Sequence, residues 1–266
     1  MVIDFCKYQG AGNDFVIIDN MSGLYDDLQA DAIARLCDRR FGIGADGLLL
    51  LSASPDHDFR MVYYNQDGSR ASFCGNGARC LCDFAVSRRV VKPEEPFHFI
   101  ADDGSHTAVA YPSRHWVDLQ MTSVNSVERI SDRAFRLNTG VPHYVEFIDD
   151  LDSIDIMDVA PKIRYAERFK PDGVNVNFAK LLPDGHVAIR TYERGVEGET
   201  LACGTGITAT AISAAILTGL NGGFKVDARG GNLEVRFHRV ADSVFDDVHL
   251  CGPAVMTFKG VADSLI

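Results

Sequence analysis

Cys74-Gly75-Asn76-Gly77 and Cys203-Gly204-Thr205-Gly206 are two copies of one pattern, 129 residues apart (203 − 74). Three further matches keep nearly that spacing: Asp14-Phe15-Val16 with His143-Tyr144-Val145 at 129, Arg40-Phe41 with Arg168-Phe169 at 128, and Tyr64-Asn65 with Tyr192-Glu193 at 128. Four short matches in one order imply a duplicated half of roughly 129 residues. A helix-forming run follows each copy, starting at Ala78 in the first and Ile207 in the second. Cys74 and Cys203 are thus expected at or just before a helix N-terminus.

Outward from these two points, helix-like and strand-like stretches alternate, which indicates an α/β or α+β class. Helices are expected over 77–89 and 204–218. The latter is apolar on every side, as a buried central helix must be, and Gly219 suits its C-terminal end. The first half adds a helix over 26–40 and strands over 15–18, 48–51, 59–64 and 115–121. The second adds a helix within 156–168 and strands over 144–148, 174–178, 187–192, 233–237, 247–250 and 254–258.

Composition narrows the class of function. The chain has 266 residues, 46% apolar and 24% charged, with a formal charge of −11. These values suit a globular protein of about two domains. The negative balance argues against nucleic-acid binding and against anionic membranes. The N-terminal segment lacks a signal-peptide pattern. The apolar run over 207–217 is broken by Thr208, Thr210 and Ser213 and is shorter than a membrane span requires. A cytoplasmic protein is expected. Its seven cysteines form no CxxC pair, and Cys80 and Cys82 stand too close for an ordinary zinc pair. Reduced cysteines acting mostly as core fillers fit an odd count without a secretion signal.

The two repeated cysteines invite a chemical reading. Unpaired N–H groups and the helix dipole favour a thiolate at a helix N-terminus. The glycines admit a ligand to the backbone amides, a ready anion site. Pseudo-symmetric halves would offer two such sites to one carboxylate, with a thiol on either side of its α-carbon. Inverting that stereocentre needs a base on one face and an acid on the other, and amide donors stabilise the charge that builds on the carboxylate. One Cys-Gly-x-Gly alone is better read as a buried cysteine before a turn; the repeated pair, both opening helices, favours function. A phosphate loop lacks its GxxxxGK[ST]. A thiol hydrolase needs one cysteine and a histidine and leaves the second copy unexplained.

Gly10-Ala11-Gly12-Asn13-Asp14-Phe15, Cys74-Gly75-Asn76-Gly77-Ala78-Arg79-Cys80, Tyr192-Glu193-Arg194-Gly195 and Ala202-Cys203-Gly204-Thr205-Gly206 together closely resemble the diaminopimelate epimerase family. The resemblance implies two similar α/β domains, each a curled mixed sheet around a central helix: residues 1–120 plus 253–266, and residues 121–252. It implies a homodimer without pyridoxal phosphate or metal, interconverting LL- and meso-2,6-diaminopimelate on the route to lysine and, in bacteria, peptidoglycan. Carried over by position, Cys74 and Cys203 are the proton donor–acceptor pair. Gly75-Asn76 and Gly204-Thr205 hold the reacting carboxylate, and Asn13 sits by the reacting amino group. Asn65, Asn175, Glu193 and Arg194 grip the distal amino-acid head. His143 is expected to orient Glu193 or line the pocket, and Arg79 to pack or pair locally.

Three departures bear on substrate preference. Val141 stands where many relatives carry a polar residue, often asparagine, Gly47 stands where some carry a glutamine, and the loop 195–200 is one residue longer than in some members. The alternatives are a proline or hydroxyproline racemase-type enzyme, whose smaller site would not need Glu193 with Arg194, and a two-lobed amino-acid binding module that performs no proton transfer.

Overall fold

The computed structural model describes residues 2–263. The last three residues of the segment 253–266 expected to return to the first domain, 264–266, lie outside them. The chain forms two compact units, Met1–Leu119 with Gly252–Ile266 and Gln120–Cys251.

In the first unit, β1 (Ile3–Gly10) and β2 (Asn13–Asn20) form a hairpin, followed by α1 (Ala30–Cys37), β3 (Gly47–Ser52), β4 (Phe59–Asn65) and β5 (Arg70–Ala71). The helix α2 (Gly75–Ser87), β6 (Phe97–Ala101), β7 (Gly104–Tyr111) and β8 (Trp116–Gln120) complete the run. The second unit repeats it with β9 (Val127–Arg129), β10 (Ala134–Asn138), β11 (Pro142–Phe147), α3 (Ile156–Arg164), β12 (Asn175–Leu182), β13 (His186–Glu193), β14 (Gly198–Thr200), α4 (Gly204–Thr218), β15 (Gly222–Ala228), β16 (Gly231–Ala241) and β17 (Val244–Pro253). The last strand, β18 (Val255–Ala262), pairs with β1.

The pairings establish the duplication. In the first unit β1–β2 is antiparallel, β2–β3 parallel, β3–β4 antiparallel and β4–β6 parallel, and β6–β7–β8 continue antiparallel. In the second, β10–β11, β11–β12, β12–β13, β13–β15 and β15–β16–β17 follow the same sequence of senses. Even the added strands correspond, β18 beside β1 and β9 beside β10. Each sheet curls around its central helix. α2 touches β18, β1, β2, β3, β4 and β7, and α4 touches β10, β11, β12, β13, β15 and β16.

A second helix covers the outer face of each sheet. In the first unit Ile33 and Leu36 of α1 pack on Val16, Ile18, Leu48 and Leu50. Phe15 and Leu49 point the other way, toward Gly77 of α2. The strands are thus buried on both faces, which explains the unbroken apolar run at 48–51. In the second unit Ile156 and Ala160 of α3 pack on Val176 and Phe178. Inside α4 the hydroxyls of Thr208 and Ser213 donate to the carbonyls of Gly204 and Ala209, so these polar side chains stay satisfied in a buried helix.

Several boundaries differ from expectation. The first helix covers only Ala30–Cys37 of the expected 26–40. It stops because the Asp38 carboxylate accepts from the amides of Arg40 and Phe41, and because the chain doubles back, with Ile43 and Gly44 donating to the Leu36 carbonyl. Arg40-Phe41 and Arg168-Phe169 occupy corresponding loops but unlike surroundings. Phe41 is 77% exposed, whereas Phe169 packs into the α3 cluster.

Candidate active site

Cys74 is the extended residue that caps α2, and Cys203 does the same for α4. The first intrahelical bonds run from Ala78 N to Cys74 O at 2.8 Å and from Ile207 N to Cys203 O at 2.9 Å. In each case the three amides after the cysteine lie above the helical ladder, where an anion can use them. Neither thiol caps its own helix.

The first unit surrounds its cysteine with amides. Ala11 and Gly12, with φ of 53° and 84°, make the tight β1–β2 turn, and Asn13 follows at the base of β2. Its Oδ1 accepts from Cys74 Sγ at 3.6 Å and from Asn76 Nδ2 at 3.4 Å. Asn76 Oδ1 in turn accepts from Arg79 Nη2 at 2.9 Å. Arg79, fully buried, thus serves locally as expected. A Cβ at position 77 would meet Phe15 and Leu49 at 3.4 Å, ordinary van der Waals contact, so the helix start packs directly on the sheet. Asn65, the last residue of β4, donates from Nδ2 to Ser69 Oγ in the following turn.

In the second unit, Cys203 Sγ lies 3.5 Å from Thr205 Oγ1, and Thr139 Oγ1 donates to the Thr205 carbonyl at 2.8 Å. Asn175 is buried on β12. Its Nδ2 donates to Pro142 O at 3.3 Å and its Oδ1 accepts from Arg194 N at 2.8 Å, tying two loops together. Glu193 is half-buried at the end of β13, the position matching Asn65. Burial raises its carboxyl above the ordinary value, opposed by the Thr200 hydroxyl. Arg194 Nη1 donates to the Asp172 carbonyl at 3.3 Å.

His143 is fully buried, and its partner is Asn177 rather than Glu193. Asn177 Nδ2 approaches His143 Nδ1 at 3.1 Å and donates to Tyr144 O, while Thr191 Oγ1 donates to Asn177 Oδ1. Nδ1 therefore accepts, which puts the proton of the neutral ring on Nε2. Nε2 has no hydrogen-bond partner among the described residues. Burial first, and the Arg194 charge second, push the His143 pKa down to about 3. The ring is neutral across the physiological range.

Reading the sequence alone missed three supporting residues. Asn177 sits inside a strand that reads as apolar. Asp46 accepts from Asn13 Nδ2 at 2.6 Å. Glu197 holds the longer loop, accepting from Arg164, Tyr165 and Tyr192 and from the Gly195 amide. Gly47 has no room for a side chain in this backbone: a Cβ there would lie 2.5 Å from the Tyr64 carbonyl and 2.8 Å from the Tyr63 ring.

The other cysteines behave as packing. Burial raises the thiols of Cys6, Cys80 and Cys82, and lifts Cys37 to about 12. Among the described residues no group of three or more His, Cys, Asp or Glu could hold a metal ion, and no helix is long and apolar enough to cross a membrane.

Comparison with known proteins decides the family. The diaminopimelate epimerase model matches residues 5–127 and 135–256. The chain belongs to the diaminopimelate epimerase family. A diaminopimelate epimerase from Flavobacterium psychrophilum is 45% identical over 254 residues, 95% of this chain and 97% of the relative. One from Archaeoglobus fulgidus is 40% identical over 98% of this chain and 96% of its own length. Among solved structures, a Bacillus anthracis phenazine biosynthesis protein of the PhzF family superposes with a TM-score of 0.74 at 13% identity, covering 99% of both chains. A hydroxyproline epimerase from Agrobacterium vitis does so at 0.67 and 16%, covering 99% of this chain and 94% of that one. At these identities the structural matches speak for the shared fold.

Proposed function

We propose that this isomerase interconverts LL- and meso-2,6-diaminopimelate in lysine biosynthesis, moving the α-proton with two cysteines. One observation carries the reading: each duplicated unit presents a cysteine at the N-terminus of its central helix, followed by glycine-spaced backbone amides. Family membership supplies the substrate.

In this reading one sulfur, as thiolate, takes the α-proton from one face of the substrate, and the other, as thiol, delivers a proton to the opposite face. The pair then holds the reverse protonation, ready for the opposite direction. Because the two share one proton, they titrate as a unit. Removal of the α-proton moves charge onto the carboxylate oxygens, where the amides of Gly75, Asn76, Gly204 and Thr205 stabilise it. Loss of one preorganised donor in such a site costs about 10²- to 10³-fold in rate. Asn13 accepts from the reacting ammonium. Glu193, Arg194, Asn65 and Asn175 serve the distal head: a carboxylate for an ammonium and a guanidinium for a carboxylate. His143, neutral and buried, shapes the wall behind these groups without exchanging protons.

Glu193 with Arg194, suited to a second charged head, favours diaminopimelate over a proline-sized ligand. Incubation with LL-diaminopimelate in heavy water, read by mass spectrometry and chiral chromatography, tests this. Inversion with one solvent deuterium at the inverted centre supports the reading. Binding without deuterium uptake would make the chain a binding module, and uptake with proline alone would make it a racemase. We further propose a cytoplasmic homodimer; light scattering on the purified chain tests the dimer, and fractionation of the source cells tests the location.

A further inference from the structure

We propose that Asp46 is a positioning residue for the reaction, locking the Asn13 side-chain amide with its carbonyl oxygen toward Cys74. The role rests on the reading of Asn13 as the contact to the reacting amino group.

An asparagine amide can be turned end for end, and the two orientations present opposite chemistry. Only one suits an ammonium, which needs an acceptor. Asp46 selects that one. Its Oδ2 accepts from Asn13 Nδ2 at 2.6 Å and from the Asp14 amide at 3.2 Å. The Asn13 Oδ1 is then left facing Cys74 Sγ and Asn76 Nδ2. Turning the amide would press two acceptors together at the Asp46 carboxylate and two donors together at Asn76. Both contacts would be lost at once.

Asp46 is itself fixed from several sides. Its amide donates to Asp14 O at 2.9 Å and lies 3.2 Å from Asp14 Oδ1. Arg39 Nη2 donates to Asp46 Oδ1 at 2.7 Å, and the same guanidinium spans both Asp14 carboxylate oxygens. Lys7, 9% exposed, donates to Asp14 and to the Gly44 carbonyl. The Arg39–Asp46 pair is itself open to solvent, with 55% and 37% of the side chains exposed, so it adds little stability. Orientation is what the arrangement secures.

The duplicated fold supports the assignment. The 129-residue offset carries Asp46 onto Asn175 and Asn13 onto Pro142. Asn175 also reaches across to that neighbour, donating to Pro142 O while it accepts from Arg194 N. The same position in both units steadies the start of the adjacent strand beside the site.

The test compares Asp46→Ala, Asp46→Asn, Asn13→Ala, the Asp46→Ala/Asn13→Ala double variant and Arg39→Ala in the full chain. Inversion of LL-diaminopimelate, thermal unfolding and the Asn13 side-chain amide resonances are the readouts. Loss of a hydrogen bond to a charged group predicts a fall in kcat/KM of about 10- to 100-fold for Asp46→Ala. The double variant should be no slower than Asn13→Ala, because Asp46 acts through Asn13. Asp46→Asn, which keeps an acceptor oxygen, should recover much of the loss. Arg39→Ala, which removes one of the several bonds fixing Asp46, should cost less than Asp46→Ala, as expected of an exposed pair. Asp46→Ala should also shift and broaden the Asn13 amide resonances. Near-normal turnover in Asp46→Ala, multiplicative losses in the double variant, or unmoved Asn13 resonances would each overturn the proposal. Should the unaltered chain fail to invert diaminopimelate, the reading of function fails, and the resonances still decide whether Asp46 holds Asn13.

Discussion

Replacing Asp14 with Asn should alter the acid limb of stability and leave the shape of the curve above it unchanged. Burial alone would raise the Asp14 carboxyl. Hydrogen bonds from Arg39 at 2.6 and 3.0 Å and from Lys7 at 2.6 Å outweigh it and bring the pKa to about 2, against an ordinary 3.8. Between these values the unfolded chain binds a proton that the folded chain declines, so stability rises with pH across the window. The contribution is whole above the ordinary value and is lost as the pH falls through about 2. A lowering of this size corresponds to about 2 kcal/mol. Arg39 is 55% exposed while Lys7 is 9% exposed. Solvent screening of the Arg39 share leaves about 1–2 kcal/mol. Urea unfolding of both proteins at intervals from pH 2 to 6 provides the assay. The stability difference between them should climb by that amount up to about pH 4.5 and then level off. A difference that stays flat, or that narrows as the pH rises, would refute the reasoning.

Two further perturbations probe the second unit. His143, held at about 3 chiefly by burial, must stay neutral to remain folded. Its part of the stability is present above the ordinary value of 6.5 and drains as the pH falls toward 3, so His143→Gln should flatten stability between pH 6.5 and 4 while leaving no histidine step to lose from the pH–rate profile. Gly206→Ala would put a Cβ 2.5 Å from Asn177 Oδ1 and 3.4 Å from His143 Cε1. Overpacking of this kind costs about 1–3 kcal/mol, and a lower melting temperature together with reduced inversion is expected; an unchanged melting temperature would show that Asn177 yields freely.

The duplication was legible because helix starts and glycine turns leave fixed local marks. Both central helices begin within two residues of expectation, and Gly219 ends α4 with a φ of 75°. Strands buried on both faces, such as β3, declared themselves as apolar runs. β1 did not, since Lys7 stands at a buried position and breaks the alternation; its charge is met by Asp14, a partner on the next strand. The β6–β7 hairpin went unread because its strands mix small residues and histidines with the apolar ones, which weakens the apolar contrast; of the β15–β16 hairpin only 233–237 was expected, where buried Leu233, Val235 and Phe237 alternate with more exposed Glu234 and Arg236. At the site, residues within the repeated motifs could be named from sequence. Asp46, Asn177 and Glu197 could not, because each acts through a neighbour brought close by strand register or by a loop, and single polar residues carry no periodic signal.

The two-thiol claim is tested most directly by deuterium content during inversion in heavy water, measured on the unaltered chain and on Cys74→Ala and Cys203→Ala. The account predicts one solvent deuterium in each inverted molecule from the unaltered chain, and no inversion by either folded variant. Product that keeps its original hydrogen, or brisk inversion by a chain lacking one of these sulfurs, would contradict it.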